Sequence, residues 1–133
     1  MKRGLVAIGI VFALAVSGNQ TALGASDPVT LEVDFTWLSK HKCSGYSPAF
    51  KITGIPDGTK FLKFNMTDLN YRSYPHGGGT VEYTGTGDIP EGAFRYRGPC
   101  PPSQHRYEFE VKALDASETV LGIGKAMRPF PPD

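Results

Sequence analysis

Gly98–Asp115 reads GPCPPSQHRYEFEVKALD, a proline-clamped turn that runs directly into an alternating segment. From its histidine onward, His105, Tyr107, Phe109, Val111 and Ala113 fall on one side, and Arg106, Glu108, Glu110 and Lys112 on the other. Side chains of a strand alternate with a period of two, so this run predicts a strand with one face in a core and one in water. Prolines at 99, 101 and 102 fix three backbone angles and remove three amide donors. The turn is therefore stiff and cannot itself pair as a central strand.

The same pattern extends outward. VTLEVDF puts Val29, Leu31, Val33 and Phe35 on one side, against Thr30, Glu32 and Asp34. Phe50 and Ile52 share a face in AFKITGI, and the more apolar KFLKFNM carries Phe61, Leu62, Phe64 and Met66 on both faces. GGTVEYTG gives a further short strand, GDIPEGAF reads as a loop with two turn signals, and TVLGIGKAM leads into a proline-rich end. A helical turn within DASETVLGIGKA is opposed by Gly122 and Gly124. Short strands parted by turn residues, with no amphipathic helical period, predict an all-β chain folded as an antiparallel β-sandwich.

The chain has 133 residues, which suits one domain with one core. Met1, Lys2 and Arg3 precede an unbroken apolar run, Gly4–Val16, too short to span a bilayer comfortably. Small residues follow in TALGAS, so residues 1–24 read as a signal peptide cleaved after Gly24, leaving a single domain over 25–133. An uncleaved anchor is the alternative. Cleavage removes two basic residues and no acidic one, leaving 12 against 13, so the formal charge moves from +1 to −1. Such a domain has no bulk attraction for nucleic acid or anionic membrane, and any anion must be held by a local pocket. Cys43 and Cys100 are the two cysteines. In an oxidising exported compartment they read as one disulfide, worth about 4 kcal/mol in the chain-entropy account, with two buried thiols as the alternative. No CxxC spacing points to zinc.

His105 stands where the core face of its strand opens toward loops. It can donate to an anion there, with the Tyr107 hydroxyl one pleat deeper, or it can simply satisfy the turn. NMTDLNYRSYPHGGG adds Asp68 and His76, followed by Gly77, Gly78 and Gly79. Those glycines suit either an amide nest for an anion or a flexible loop. Asp68 with the scattered histidines, His41 included, lacks metal-ligand spacing, so neither a metal nor another cofactor is expected. There is no GxSxG elbow, phosphate-binding P-loop or dinucleotide fingerprint, so no enzyme is expected.

CSGYSPAFKITGIPDGTK, MTDLN, YPHGGG and above all GPCPPSQHRYEFEVKALD resemble the phosphatidylethanolamine-binding protein family, which includes Raf kinase inhibitor protein-like members, in its short bacterial branch. The likeness runs from about Cys43 to Asp115. It implies a β-sandwich with a small pocket at one end for phosphate-like head groups, in binding or inhibitory proteins rather than enzymes. Residue by residue it implies Asp68 and His76 as pocket residues, Gly98, Pro101 and Pro102 as its wall, and His105 and Tyr107 completing it. The chain departs from the family's pattern at Thr67-Asp68-Leu69, which stands where an Asp-Pro-Asp motif is usual. Gly77 stands where a tryptophan usually follows the first histidine, and the His76–Gly98 segment is short.

The expectation is an exported, non-catalytic binding protein whose ligand is a small anion, such as phosphate or a phosphoethanolamine head group. His76, His105 and Tyr107 donate, and Asp68 holds one histidine in its donating tautomer. Histidine ordinarily titrates near pH ~6.5, so binding is expected to strengthen in mild acid. The alternative is a protein-interaction or inhibitor module that meets a secreted or envelope protein through its proline turn and glycine loop.

Overall fold

The structure, a computed structural model, describes Gly18 and residues 26–133. The signal-peptide reading at 1–24 thus lies outside the described residues but for Gly18. Eight strands follow one another: β1 Val29–Thr30, β2 Glu32–Phe35, β3 Phe50–Thr53, β4 Phe61–Asp68, β5 Gly78–Glu82, β6 Asp88–Ile89, β7 His105–Leu114 and β8 Val120–Phe130. One sheet has the order β1-β8-β7-β4-β5 and the other the order β2-β3-β6. A three-residue 3₁₀ turn, Ser39–His41, is the one helical element among the described residues, none of which forms a helix long and apolar enough to cross a membrane.

The alternation read from the sequence sets the core. On β7, Tyr107, Phe109, Val111 and Ala113 are buried, and on β4, Leu62, Phe64 and Met66 are, while Lys63 and Asn65 face water. β4 and β7 pair antiparallel along their length, from Phe61 opposite Leu114 to Asp68 opposite Tyr107. Phe109, wholly buried, meets Phe35 and Phe50 of the smaller sheet edge-on at 5.1 and 4.9 Å between ring centroids. Such edge-to-face pairs hold the two layers beyond simple burial.

Three local readings change. VTLEVDF is two strands, because the chain crosses between sheets at Leu31. Val29 and Thr30 pair parallel with Gly122 and Ile123, and the Leu31 amide donates to the Ile123 carbonyl at 2.9 Å. Glu32–Phe35 then pairs antiparallel with β3. The crossing leaves Val29 exposed, outside the core face assigned to it. It presses the buried Leu31 against Gly124, where an added Cβ would lie 2.8 Å from the Leu31 Cβ. Asp88–Ile89, read as loop, joins β3 as a two-residue strand. β8 runs through Pro129 to the buried Phe130 rather than stopping at Met127. Pro129 is tolerated because β8 has no second neighbour beyond the short reach of β1.

Candidate functional site

β4 and β7 carry their inner faces to the same end of the sandwich. Asp68 closes β4 opposite Tyr107, and His105 opens β7 two residues away. Strand alternation therefore delivers a carboxylate, a phenol and an imidazole to the point where the aromatic core stops.

Asp68 is only 3% exposed. A buried carboxylate must be partnered, and this one is partnered at both oxygens. Its Oδ1 accepts the Asn70 amide at 2.9 Å and the Tyr71 amide at 3.1 Å, shaping the loop after β4. Its Oδ2 accepts from His105 Nδ1 at 2.6 Å. Burial pushes the carboxyl upward, but the His105 bond, the Asn70 amide, the histidine's charge and the Tyr71 amide outweigh it and hold Asp68 below its ordinary value. Burial, then the neighbouring Asp68 carboxylate, hold the Tyr107 hydroxyl above its ordinary range. The phenol stays protonated.

His76 is pinned from the other side. Its Nδ1 donates to the Arg97 carbonyl at 2.6 Å, while its own carbonyl accepts the Arg97 amide at 2.9 Å. Its ring sits 4.6 Å from Tyr74 and, edge-on, 5.5 Å from Tyr107. The wall is Gly98–Pro102. At Gly98 a Cβ would overlap the Ser44 carbonyl, so only glycine lets the two backbones pass. The Cys43 amide donates to the Pro99 carbonyl at 2.7 Å, and Cys43 is joined to Cys100 in a disulfide. The turn is thus stiffened by proline and tied covalently to the Lys42–Ser44 segment.

These parts enclose a cavity of about 220 Å³ lined by Asp68, Tyr71, Tyr74, His76, Gly98, Cys100, Pro101, Pro102, His105 and Tyr107. All seven pocket residues named from the sequence lie around it. Tyr71, Tyr74 and the Cys100 end of the disulfide line it as well, and sequence reasoning did not assign them there. Gly77–Gly79 form neither a nest at the cavity nor a free loop. Gly78 and Gly79 begin β5, paired with Asn65 and Phe64, and a Cβ at Gly79 would lie 2.5 Å from Phe94. His41 lies elsewhere, buried, its Nδ1 accepting the Leu38 amide at 2.9 Å and its Nε2 facing Glu91 at 3.2 Å.

The partners fix the chemistry of both pocket histidines. An ionised carboxylate and a carbonyl can only accept, so Nδ1 carries the proton in His105 and in His76. In the neutral ring Nε2 is then a lone-pair acceptor. Asp68 therefore does not hold His105 in a tautomer that donates to a ligand, because it takes that donor for itself. Each ring can donate from Nε2 only after gaining a second proton, which keeps Nδ1–H in place and makes the imidazolium a cationic donor.

The family profile described as phosphatidylethanolamine-binding protein matches residues 25–129. No curated protein matches the chain. Among solved structures, a Chlamydia trachomatis protein described as a phosphatidylethanolamine-binding protein homolog is 18% identical. That match covers 81% of this chain and 100% of that one, with a TM-score of 0.54. At that identity the structural likeness speaks for the fold, while the family match spans nearly all of the described residues. The chain belongs to the phosphatidylethanolamine-binding protein family.

Proposed function

We propose that this is an exported, non-catalytic binding protein that holds a small phosphate-like anion, such as a phosphoethanolamine head group, between His76 and His105. The observation that carries the reading is the pinning of both imidazoles at Nδ1, which leaves Nε2 without a protein partner among the described residues. Once protonated, two such rings are fixed cationic donors, and charge-assisted bonds to phosphate oxygens are the strong kind. A cavity of about 220 Å³ is below the roughly 300–1,000 Å³ of drug-sized sites and suits a head group.

Titration calorimetry at pH 6 with inorganic phosphate and O-phosphoethanolamine tests the reading. Saturable heat for both, lost in His105→Ala, is expected. Equal affinity in folded His105→Ala, or no heat from the folded wild type, would overturn it and favour a protein-interaction module. Export is tested by sequencing the amino terminus of the protein made in its native host, where a start at Ala25 is expected.

A further inference from the structure

One stretch of the cavity wall hangs on a single bond. Cys100, Pro101 and Pro102 line the cavity, yet Cys100–Ser103 makes no hydrogen bond to any other described residue. Two of its four residues are prolines and have no amide to donate. The nearest ties lie outside it, at the Pro99 carbonyl, which accepts the Cys43 amide, and at the Gln104 side chain, which donates to the Pro131 carbonyl at 2.8 Å. Within the stretch, the tie is the disulfide from Cys100 to Cys43.

That bond is open to attack. Cys43 and Cys100 are both exposed, so a thiolate can reach the bond without the core opening, and exposed disulfides are the labile ones. The backbone at Cys43 is a second, independent sign. Its φ is 54°, and Cys43 and Glu118 are the only residues other than glycine with positive φ among the described residues. This left-handed conformation is costly for a residue with a Cβ and persists where its surroundings impose it. Here they are the disulfide and the Cys43 amide bond to the Pro99 carbonyl at 2.7 Å. Cleavage leaves one hydrogen bond to hold both Cys43 and the wall.

We propose that the Cys43–Cys100 disulfide is a site of thiol–disulfide exchange with a dithiol, and that its reduction frees Cys100–Ser103 and opens the cavity to water. A thiolate of the dithiol attacks one cysteine sulfur, the S–S bond breaks, and the other cysteine leaves as a thiolate. The second thiol then attacks the mixed disulfide and releases the first cysteine. Cys43 and Cys100 end as thiols, having gained two electrons and two protons, and the dithiol ends as its own disulfide. The sheets do not hang on this bond, because β4 and β7 stay paired from Phe61 opposite Leu114 to Asp68 opposite Tyr107. The consequence for anion affinity rests on the function proposed above, whereas the exchange and the release of the wall do not.

The test treats the native protein with dithiothreitol, traps free thiols with a maleimide at intervals, and compares the rate with that of the urea-unfolded chain. A native rate within about tenfold of the unfolded one is expected for an exposed bond, and a wider gap would overturn the exchange site. Amide NMR spectra of the reduced protein should shift at Lys42–Ser44 and Gly98–Gln104 while β4, β7 and β8 keep their resonances. Unchanged spectra, or collapse to those of an unfolded chain, would overturn the release of the wall. Phosphate titration of both forms at pH 6 reads the consequence. The reduced form should bind about tenfold more weakly, since a loose wall no longer keeps water from the charged donors, and reoxidation should restore the affinity. Equal affinity in the two forms would overturn redox control of the cavity. Failure of the anion reading looks different, because phosphate would then leave the oxidised form unmoved as well, while the thiol and amide readouts kept their outcome.

Discussion

Asp68→Asn replaces one carboxylate oxygen by an NH₂ group in a place that allows little rearrangement. The asparagine oxygen can keep the two amide bonds from Asn70 and Tyr71, which shape the loop. Its NH₂ then faces His105 Nδ1, which now donates to Asp68 across 2.6 Å. Two donors cannot share that contact, so the His105 proton moves to Nε2 and Nδ1 becomes the acceptor. A charge-assisted bond worth about 1.5–3 kcal/mol gives way to a neutral one worth about 1 kcal/mol. The net loss expected at pH 7 is therefore about 0.5–2 kcal/mol, read from urea denaturation midpoints at equal slope. The sign with pH follows from Asp68 lying below its ordinary value when folded. Its contribution is fully present above the unfolded carboxyl value, near pH ~4, and is lost as pH falls through the lower folded value. The stability curves of the two proteins should thus converge in acid. Nitrogen chemical shifts of His105 give a second readout, with the proton on Nδ1 in the wild type and on Nε2 in the variant. Coincident midpoints at pH 7, or a proton still on Nδ1 in folded Asp68→Asn, would refute the reasoning.

Other substitutions probe the frame around the site. The Tyr96 hydroxyl is buried with no hydrogen-bond partner, so Tyr96→Phe is expected to stabilise the protein by about 1 kcal/mol in urea denaturation. A loss of stability would mean that the hydroxyl has a partner after all. The Cys43–Cys100 disulfide spans 57 residues, so Cys43→Ser/Cys100→Ser should cost about 4 kcal/mol by the chain-entropy account. Because Cys100 lines the cavity, a folded double variant should also bind phosphate more weakly in calorimetry. Phe109→Ala removes the ring at the meeting of the two sheets, and a loss of about 3–5 kcal/mol by the same denaturation assay is expected.

Much of this was legible in the chain because strand alternation is a local signal. The parity of His105 with Tyr107 and Phe109 placed the histidine on the inner face, and the run of prolines marked the rigid wall beside it. The family resemblance places Asp68, His76 and Gly98 together, although they lie far apart along the chain. What stayed hidden depends on contacts distant in sequence. The break at Leu31 exists because β8 offers buried glycine at the crossing point, and nothing in VTLEVDF records that. Nothing in NMTDLNYRSYPHGGG singles out Tyr71 and Tyr74, and they line the cavity because Asp68 Oδ1 turns the backbone beneath them. The GGG run suggested freedom or a nest, but the close approach of Phe94 requires small residues there for strand packing. The histidine tautomers could not be read at all, since they follow from which atom meets Nδ1.

The most direct test of the central claim is the pH dependence of phosphate binding, followed through the ring resonances of His76 and His105 between pH 7.5 and 5.5. With Nδ1 committed to Asp68 and to the Arg97 carbonyl, Nε2 donates only in the doubly protonated ring. Saturable shifts at both histidines are therefore predicted, with affinity rising as pH falls across this interval. Affinity that stays level across that range, or rings that do not respond to millimolar phosphate, would contradict the account.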